Sequence, residues 1–294
     1  MKPAPPKAFY LAGPTGSGKS ALAVELAGRW NGEVVNADAF QIYEDLSILT
    51  ATPSVEERSS IPHHLYQVLP LEEESTAARF HQMAVETLAG IHTRNRIPIV
   101  VGGSGLYMKS LTHGLAELPK GQPLLRERLE ELSCQDLERW LRLLDPEGAA
   151  ATNPANQRYL IRALEICLLT GKKMSCLKNR WPWQPEGTIG AVLRWDRQAL
   201  YDRINRRTLL MMKMGAAAEV EALRGRSLSS TASKAIGIEP IQQMLRGECD
   251  EAETIAAIQM ATRRYAKRQT TWFGRETCFQ TICIHLGAVA VWTD

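Results

Sequence analysis

The first hundred residues alternate between short, almost wholly apolar runs and longer stretches whose apolar positions recur at helical spacing. Ala8-Phe9-Tyr10-Leu11-Ala12 is one such run, and Ile97-Pro98-Ile99-Val100-Val101-Gly102-Gly103 is another, reading as a strand buried on both faces. Between them, Gly32-Glu33-Val34-Val35-Asn36-Ala37-Asp38 reads as a short strand ending in a carboxylate, while residues 21–27 and 75–94 carry the helical period. This alternation predicts an α/β fold, a parallel sheet flanked by helices, in which ligands collect at the carboxyl ends of the strands. Lys19, Asp38 and Ser104 are then expected to face one crevice.

From about Leu115 the pattern changes to helical segments rich in Leu, Arg and Glu, with no strand-like run before Trp183. We read residues 115–187 as an inserted helical domain and residues 1–114 with 188–294 as the core. Within the insert, Asn153 is expected to cap a helix, Pro154 to take its first position and Gly171 to end it. The Trp- and Pro-rich tract at 181–187 reads as a linker, after which Gly190-Ala191-Val192-Leu193-Arg194-Trp195 returns the chain to the sheet. Two long helices are expected at 197–224 and 251–275.

Composition narrows the class. The 294 residues, 45% apolar and 23% charged, suit a globular protein with a sizeable core. A formal charge of +3 is mild, so any nucleic-acid surface must come from local clustering. The six cysteines form no C-x-x-C pair, which suggests reduced thiols in the cytoplasm, and no stretch reads as a signal peptide or membrane span. His63-His64 has no accompanying ligand set and is read as hydrogen bonding within its loop.

The candidate chemistry begins at residues 13–20, Gly-Pro-Thr-Gly-Ser-Gly-Lys-Ser, set between the first apolar run and a helix. Glycines at 13, 16 and 18 let successive backbone N–H groups converge on phosphate oxygens at a helix N-terminus. Lys19 reaches the terminal phosphates, and the Ser20 hydroxyl suits Mg²⁺. The motif says that a diphosphate or triphosphate is held, without saying which. A phosphate-loop nucleotidase carries an Asp at the end of an apolar strand, yet the strand at 97–101 runs into Gly102-Gly103-Ser104. Asp38 is the strand-end carboxylate in this half, able to take a proton or help hold the metal. In the last helix, steps of about 100° place Arg263, Arg264, Lys267 and Arg268 on one face, as either a solvated stripe or a phosphate-backbone contact. Tyr265 and Trp272 lie off that face and are expected in the core.

These elements, with Asp38-Ala39-Phe40-Gln41-Ile42-Tyr43, Pro62-His63-His64-Leu65, Gly102 through Tyr107, Asn153 through Glu165, and Arg264-Tyr265-Ala266-Lys267-Arg268-Gln269, resemble the bacterial tRNA dimethylallyltransferases, in the family's order and over roughly residues 9–273. The resemblance implies a fold like that of the P-loop NTPases and transfer of a dimethylallyl group from dimethylallyl diphosphate to N6 of the adenosine 3′ of the tRNA anticodon. It implies that Gly13, Pro14, Thr15, Gly16, Ser17, Gly18, Lys19 and Ser20 hold the diphosphate with Mg²⁺, and that Asp38, Ser104, Lys19 and an arginine carry the chemistry. Arg203 is taken as that arginine, with Arg207 the alternative. The anticodon stem-loop is expected to meet Asp38, Ala39, Phe40, Gln41 and Ser104; Arg126; Gln157, Arg158, Tyr159, Leu160 and Ile161; and Arg263, Arg264, Lys267, Arg268 and Gln269. A monomer is expected. The chain departs from the family at Ala39, where serine is usual, at Leu49-Thr50-Ala51-Thr52-Pro53, which lacks a lysine, and at Ile238, which replaces a tyrosine.

Two other classes would use the same loop. A small-molecule kinase would bind ATP there but should show the strand-end Asp near residue 101, and a free-adenylate isopentenyltransferase would have little use for the helical insert or the basic helix.

Overall fold

A computed structural model describes residues 7–116, 118–178 and 187–284. Strands Phe9–Ala12 (β1), Gly32–Asn36 (β2), His63–His64 (β3), Ile97–Gly102 (β4), Ile189–Trp195 (β5) and Gln280–Ile284 (β6) form one sheet in the order β3-β2-β4-β1-β5-β6, every neighbouring pair parallel. β1 lies in the middle, and the chain leaves it first toward β2 on one side and later returns to β5 on the other. The loop after β1 therefore opens at the topological switch point, where sheets of this kind bind ligands.

Alternation along the central strands supplies two apolar faces. Leu11, Val34, Ile99 and Val101 pack with Ala23, Leu26 and Ala27 of the helix Lys19–Arg29. Tyr10, Val35 and Val100 pack on the other side in the cluster that holds Phe80, Ala84, Leu88 and Ile91 of the helix Ala77–Thr93. Full burial of each such side chain contributes about 1.5–3 kcal/mol, which is why β1, β2 and β4 read as nearly continuous apolar runs. Edge strand β6 was not among the expected elements: Gln-Thr-Ile-Cys-Ile is short and half exposed, so its sequence carries little burial signal.

Two boundaries differ from expectation. The helix expected over 197–224 stops at Lys213, because Gly215 takes a φ of 100°, a left-handed conformation open to glycine, and a second helix, Ala216–Glu221, starts there. The last helix begins at Glu251 as expected, with a capping box in which Glu253 N–H donates to Asp250 Oδ1 at 2.7 Å and Asp250 N–H donates to Glu253 Oε2 at 3.0 Å, but it ends at Phe273 rather than at residue 275.

The chain divides into two compact units, one beginning at His113 and the other holding residues up to Thr112 and from β5 onward. The first is all helical in its described residues, with Leu129, Leu137, Leu141, Leu160, Ala163 and Leu164 at its centre. Its main helix, Gln157–Thr170, ends at Gly171 with a φ of 65°, as expected. The cap at its start is Asn156 rather than Asn153; the Asn153 side chain instead accepts from Ala155 N–H at 3.0 Å in the turn before it. The linker expected at 181–187 lies, except for Gly187, outside the described residues.

Candidate active site

β1 stops at Ala12, and the following loop turns through Gly16 and Gly18, whose φ angles of 80° and 84° are left-handed. Gly18 is the N-cap of the helix Lys19–Arg29, so the unpaired N–H groups of the first helical turn and the dipole behind them face the loop. Lys19 folds back across it, its Nζ donating to the Pro14 carbonyl at 3.3 Å. Loss of water around the ammonium pulls its pKa down to about 8; Asp38 opposes this shift and Arg207 adds to it. The Ser17 hydroxyl is buried without a hydrogen-bond partner, and Ser20 follows Lys19 in the first turn, partly exposed.

Four side chains from distant parts of the chain clamp the loop. Thr15 N–H donates to Gln269 Oε1 at 2.8 Å, and Gln269 Nε2 donates to the Gly103 carbonyl at 3.0 Å. Arg203 Nε donates to the Gly16 carbonyl at 2.8 Å while its guanidinium lies 4.5 Å from the centre of the Trp195 ring, whose Nε1 donates to the Ser17 carbonyl at 2.9 Å. Arg207 donates through Nη1 to Thr15 Oγ1 at 3.2 Å and through Nη2 to the Thr50 carbonyl at 3.3 Å. Both candidate arginines thus reach the loop. Arg207 alone of the two lines the pocket beside Asp38; burial lowers its pKa, and the Asp38 charge opposes that.

Asp38 owes its position to the strand before it. The Asn36 side chain accepts from Asp38 N–H at 2.8 Å and donates to the Leu65 carbonyl at 2.8 Å, and one Asp38 carboxylate oxygen accepts from Phe40 N–H at 3.0 Å. Ser104 is brought alongside by a close approach that requires glycine: a Cβ on Gly102 would lie 2.1 Å from the Ala37 carbonyl oxygen. Across that contact Ser104 N–H donates to the Ala37 carbonyl at 3.2 Å, and the Ser104 hydroxyl accepts from Ala39 N–H at 2.9 Å. Gly103 makes a second approach, since a Cβ there would fall 2.0 Å from Gln269 Nε2. The Gly-Gly-Ser sequence therefore locks the ends of β2 and β4 to the last helix.

Next to the loop lies an open pocket. Thr15, Asp38 and Arg207 form its polar end, and Leu49, Ile204, Met211, Ile236 and Ile258 supply apolar wall. Phe40 and Tyr265 also line it, their rings 6.1 Å apart and tilted. Tyr265 is therefore a wall of the pocket rather than a core residue; partial burial and the nearby Asp38 raise its pKa. Trp272, also expected in the core, is 40% exposed.

Apart from Asp38, Ala39, Phe40, Gln41 and Ser104 at the strand ends, the residues expected to meet RNA fall into two groups. On the last helix Arg264, Lys267 and Arg268 stand exposed on one face. Arg263 is half-buried, donating to Asn205 Oδ1 at 2.7 Å. Gln269 does not belong with them: it is 4% exposed, on the opposite side of the helix, and both ends of its amide are used inside the protein. In the helical unit Gln157 and Arg158 are exposed and Tyr159 is half-buried, but Leu160 and Ile161 pack in that unit's core and present no side chain to a ligand. Arg126 pairs through two nitrogens, at 3.1 and 2.7 Å, with the fully buried Glu165. His64, in turn, contacts Glu33 at 2.6 Å, a carboxylate also held by Arg94.

Sequence reasoning named Arg203 and Arg207 but missed Trp195, the clamping role of Gln269 and the apolar pocket wall. A signal for Gln269 was present in its angular offset from the basic stripe. Nothing local marks Trp195, Leu49 or Met211, which reach the site only through the fold.

A family model described as IPP transferase matches residues 41–276. The tRNA dimethylallyltransferase of Akkermansia muciniphila is 45% identical over 268 residues, covering 91% of this chain and 90% of that one. The tRNA dimethylallyltransferase of Allorhizobium ampelinum is 43% identical over 276 residues, covering 90% of each. Among solved structures, the tRNA isopentenylpyrophosphate transferase of Bacillus halodurans superposes with a TM-score of 0.70 at 34% identity, over 95% of this chain and 90% of that one. A eukaryotic dimethylallyltransferase acting on tRNA superposes with a TM-score of 0.77 at 28% identity, over 94% and 73%. Since the matched span runs from the turn after Asp38 through both arginine-bearing helices, and the fold agrees over nearly the whole length, the chain belongs to the IPP transferase family.

Proposed function

We propose that this protein transfers the dimethylallyl group of dimethylallyl diphosphate to N6 of the adenosine immediately 3′ of a tRNA anticodon, releasing diphosphate. The observation that carries this reading is the pocket in which Asp38, Arg207 and Thr15 meet an apolar wall directly beside the phosphate loop. A five-carbon apolar tail suits the wall, and a diphosphate suits the N–H groups of residues 13–20 with Lys19 and Arg207.

In the reaction the bond between the allylic carbon and the diphosphate oxygen breaks as that carbon bonds to N6, and N6 gives up a proton. Charge builds on the departing diphosphate, and cations already fixed in place stabilise it without reorganising. The Gln269 and Arg203 clamps keep the loop in that shape. Asp38 accepts the proton: its turn occupies one carboxylate oxygen with Phe40 N–H and leaves the second for the adenine amine. The Ser104 hydroxyl, bonded to Ala39 N–H, holds the Asp38 turn. Of the two arginines, Arg207 is assigned to the diphosphate, because it lines the pocket beside Asp38 while Arg203 holds the loop from outside that pocket.

The donor set fits Mg²⁺. No cluster of three His, Cys, Asp or Glu side chains capable of holding a metal exists among the described residues. Mg²⁺, which keeps much of its water and takes phosphate oxygens, needs little more than the Ser20 hydroxyl and the bound diphosphate. When bound it would neutralise charge on the leaving group.

The exposed Arg264, Lys267 and Arg268 and, in the helical unit, Arg158 supply charges for the phosphates of the tRNA anticodon stem-loop. We take the protein to act as a monomer in the cytoplasm, consistent with free cysteines at all six positions; no described helix is long and apolar enough to cross a membrane. Incubation with labelled dimethylallyl diphosphate and undermodified tRNA, followed by nucleoside analysis, tests the reading. Label on N6 of the adenosine next to the anticodon is expected. Label on free adenylate instead, or phosphoryl transfer from ATP, would overturn it.

A further inference from the structure

One wall of the pocket is a single helical turn, Ser47–Thr50, whose preceding residue, Leu46, offers no side-chain cap. The cap comes from elsewhere in the chain. Glu219, on the helix Ala216–Glu221, accepts through Oε1 from Ile48 N–H at 2.7 Å and from the Ser47 hydroxyl at 3.2 Å, and through Oε2 from Leu49 N–H at 2.9 Å. A carboxylate at this N-terminus satisfies two unpaired backbone donors and meets the favourable end of their dipoles.

The turn so held touches the pocket twice. The Leu49 side chain forms part of the apolar wall, and the Thr50 carbonyl accepts from Arg207 Nη2 at 3.3 Å and from Gln41 Nε2 at 3.1 Å. Leu49 can occupy its place only because position 237 is glycine, where a Cβ would lie 2.6 Å from Leu49 Cδ2 and where φ is 113°. Glu219 itself does not line the pocket. One carboxylate outside the pocket thus fixes the apolar wall at Leu49 and the acceptor that aims Arg207.

We propose that Glu219 is a positioning residue for the donor: it holds residues 47–50 so that Leu49 limits the length of the prenyl tail and Thr50 orients Arg207 toward the diphosphate. This rests on the reading that the pocket takes an allylic diphosphate. The test compares wild type, Glu219→Ala, Glu219→Gln and Leu49→Ala as full-length proteins, with tRNA and either dimethylallyl diphosphate or the ten-carbon geranyl diphosphate. Glu219→Ala should raise KM for dimethylallyl diphosphate about tenfold, the loss expected when a charged hydrogen-bond acceptor is removed, while KM for tRNA stays within about twofold. Glu219→Gln keeps a carbonyl acceptor and should recover most of the donor KM. Leu49→Ala, with the cap intact, should raise geranyl transfer relative to dimethylallyl transfer several-fold. A fall in kcat with both KM values unchanged, accompanied by lower thermal stability, would assign Glu219 a purely structural role and overturn the proposal. Unchanged donor discrimination in Leu49→Ala would overturn the wall assignment even if Glu219→Ala failed to fold. Wild type that transfers no dimethylallyl group to tRNA would defeat the functional reading, whereas active wild type with an indifferent Glu219→Ala would defeat this proposal alone.

Discussion

The cations beside the phosphate loop and those on the exposed face of the last helix are the same residue types under opposite constraints. Lys19, Arg203 and Arg207 each have a fixed contact: the Pro14 carbonyl, the Gly16 carbonyl with the Trp195 ring, and Thr15 with Thr50. Arg264, Lys267 and Arg268 stand exposed on the same helix, five, two and one residues before Gln269, which belongs to the first set. Cations fixed at low water content act on charge that develops during bond breaking. Solvated cations act on encounter and affinity by releasing counterions from a polyanion. Changes in the first set should therefore appear in the chemical step, and changes in the second in tRNA binding and its salt dependence.

Asp38→Asn is the strongest test of the fixed set. The amide preserves the bond to Phe40 N–H through its carbonyl but cannot accept a proton, so transfer should fall by roughly 10²–10⁴ while tRNA Kd stays within about twofold. Retained single-turnover rates would remove Asp38 as proton acceptor. The arginines come next. Arg207→Ala should lower kcat/KM for the donor by roughly 10², and Arg203→Ala by only about tenfold, through loosening of the loop. Equal losses, or the reverse order, would return the assignment to Arg203.

The sheet was legible because its central strands are apolar on both faces, and the phosphate loop because its chemistry is contiguous in sequence. Asp38 and Ser104 could be placed together from strand order, since both follow strands that end at the same edge. What could not be read are contacts made by residues 150 or more apart along the chain, such as Thr15 with Gln269, Arg207 with Thr50, and Glu219 with the turn at 47–50. Leu160 and Ile161 show the converse error. They sit within a motif shared with tRNA-modifying relatives, yet their helical spacing turns them into the core of their own unit while Gln157 and Arg158 stay outside. A motif names a segment, and only burial says which of its side chains face a ligand.

Lys267→Ala combined with Arg268→Ala probes the solvated set. Affinity for tRNA should weaken by about tenfold at moderate salt and the slope of log K against log salt should flatten by about two, one for each charge removed from a phosphate contact. At saturating tRNA, kcat should match wild type. An unaltered slope would place these residues away from the RNA, and a reduced kcat at saturation would join them to the fixed set and dissolve the contrast.

The smallest effect expected is a pH dependence confined to the fixed set, and it runs in opposite directions for binding and for folding. Lys19, with its pKa pulled down to about 8 by burial, carries its charge below that pH and loses it above. Donor kcat/KM, which reports the free enzyme, should fall as pH rises through about 8. Folding has the reverse sign. The folded-state pKa lies below the unfolded value, so between them the unfolded chain binds more protons, and stability contributed by this group rises with pH from about 8. Wild type compared with Lys19→Arg isolates the group, because a guanidinium stays charged throughout that range. Thermal melts with and without dimethylallyl diphosphate, followed from pH 7 to about 9.5, should show wild type gaining stability relative to Lys19→Arg while the added protection from donor shrinks. If donor protection were flat with pH in wild type, the ammonium would not be among the groups that hold the diphosphate, and the clamp arginines alone would have to account for the leaving group.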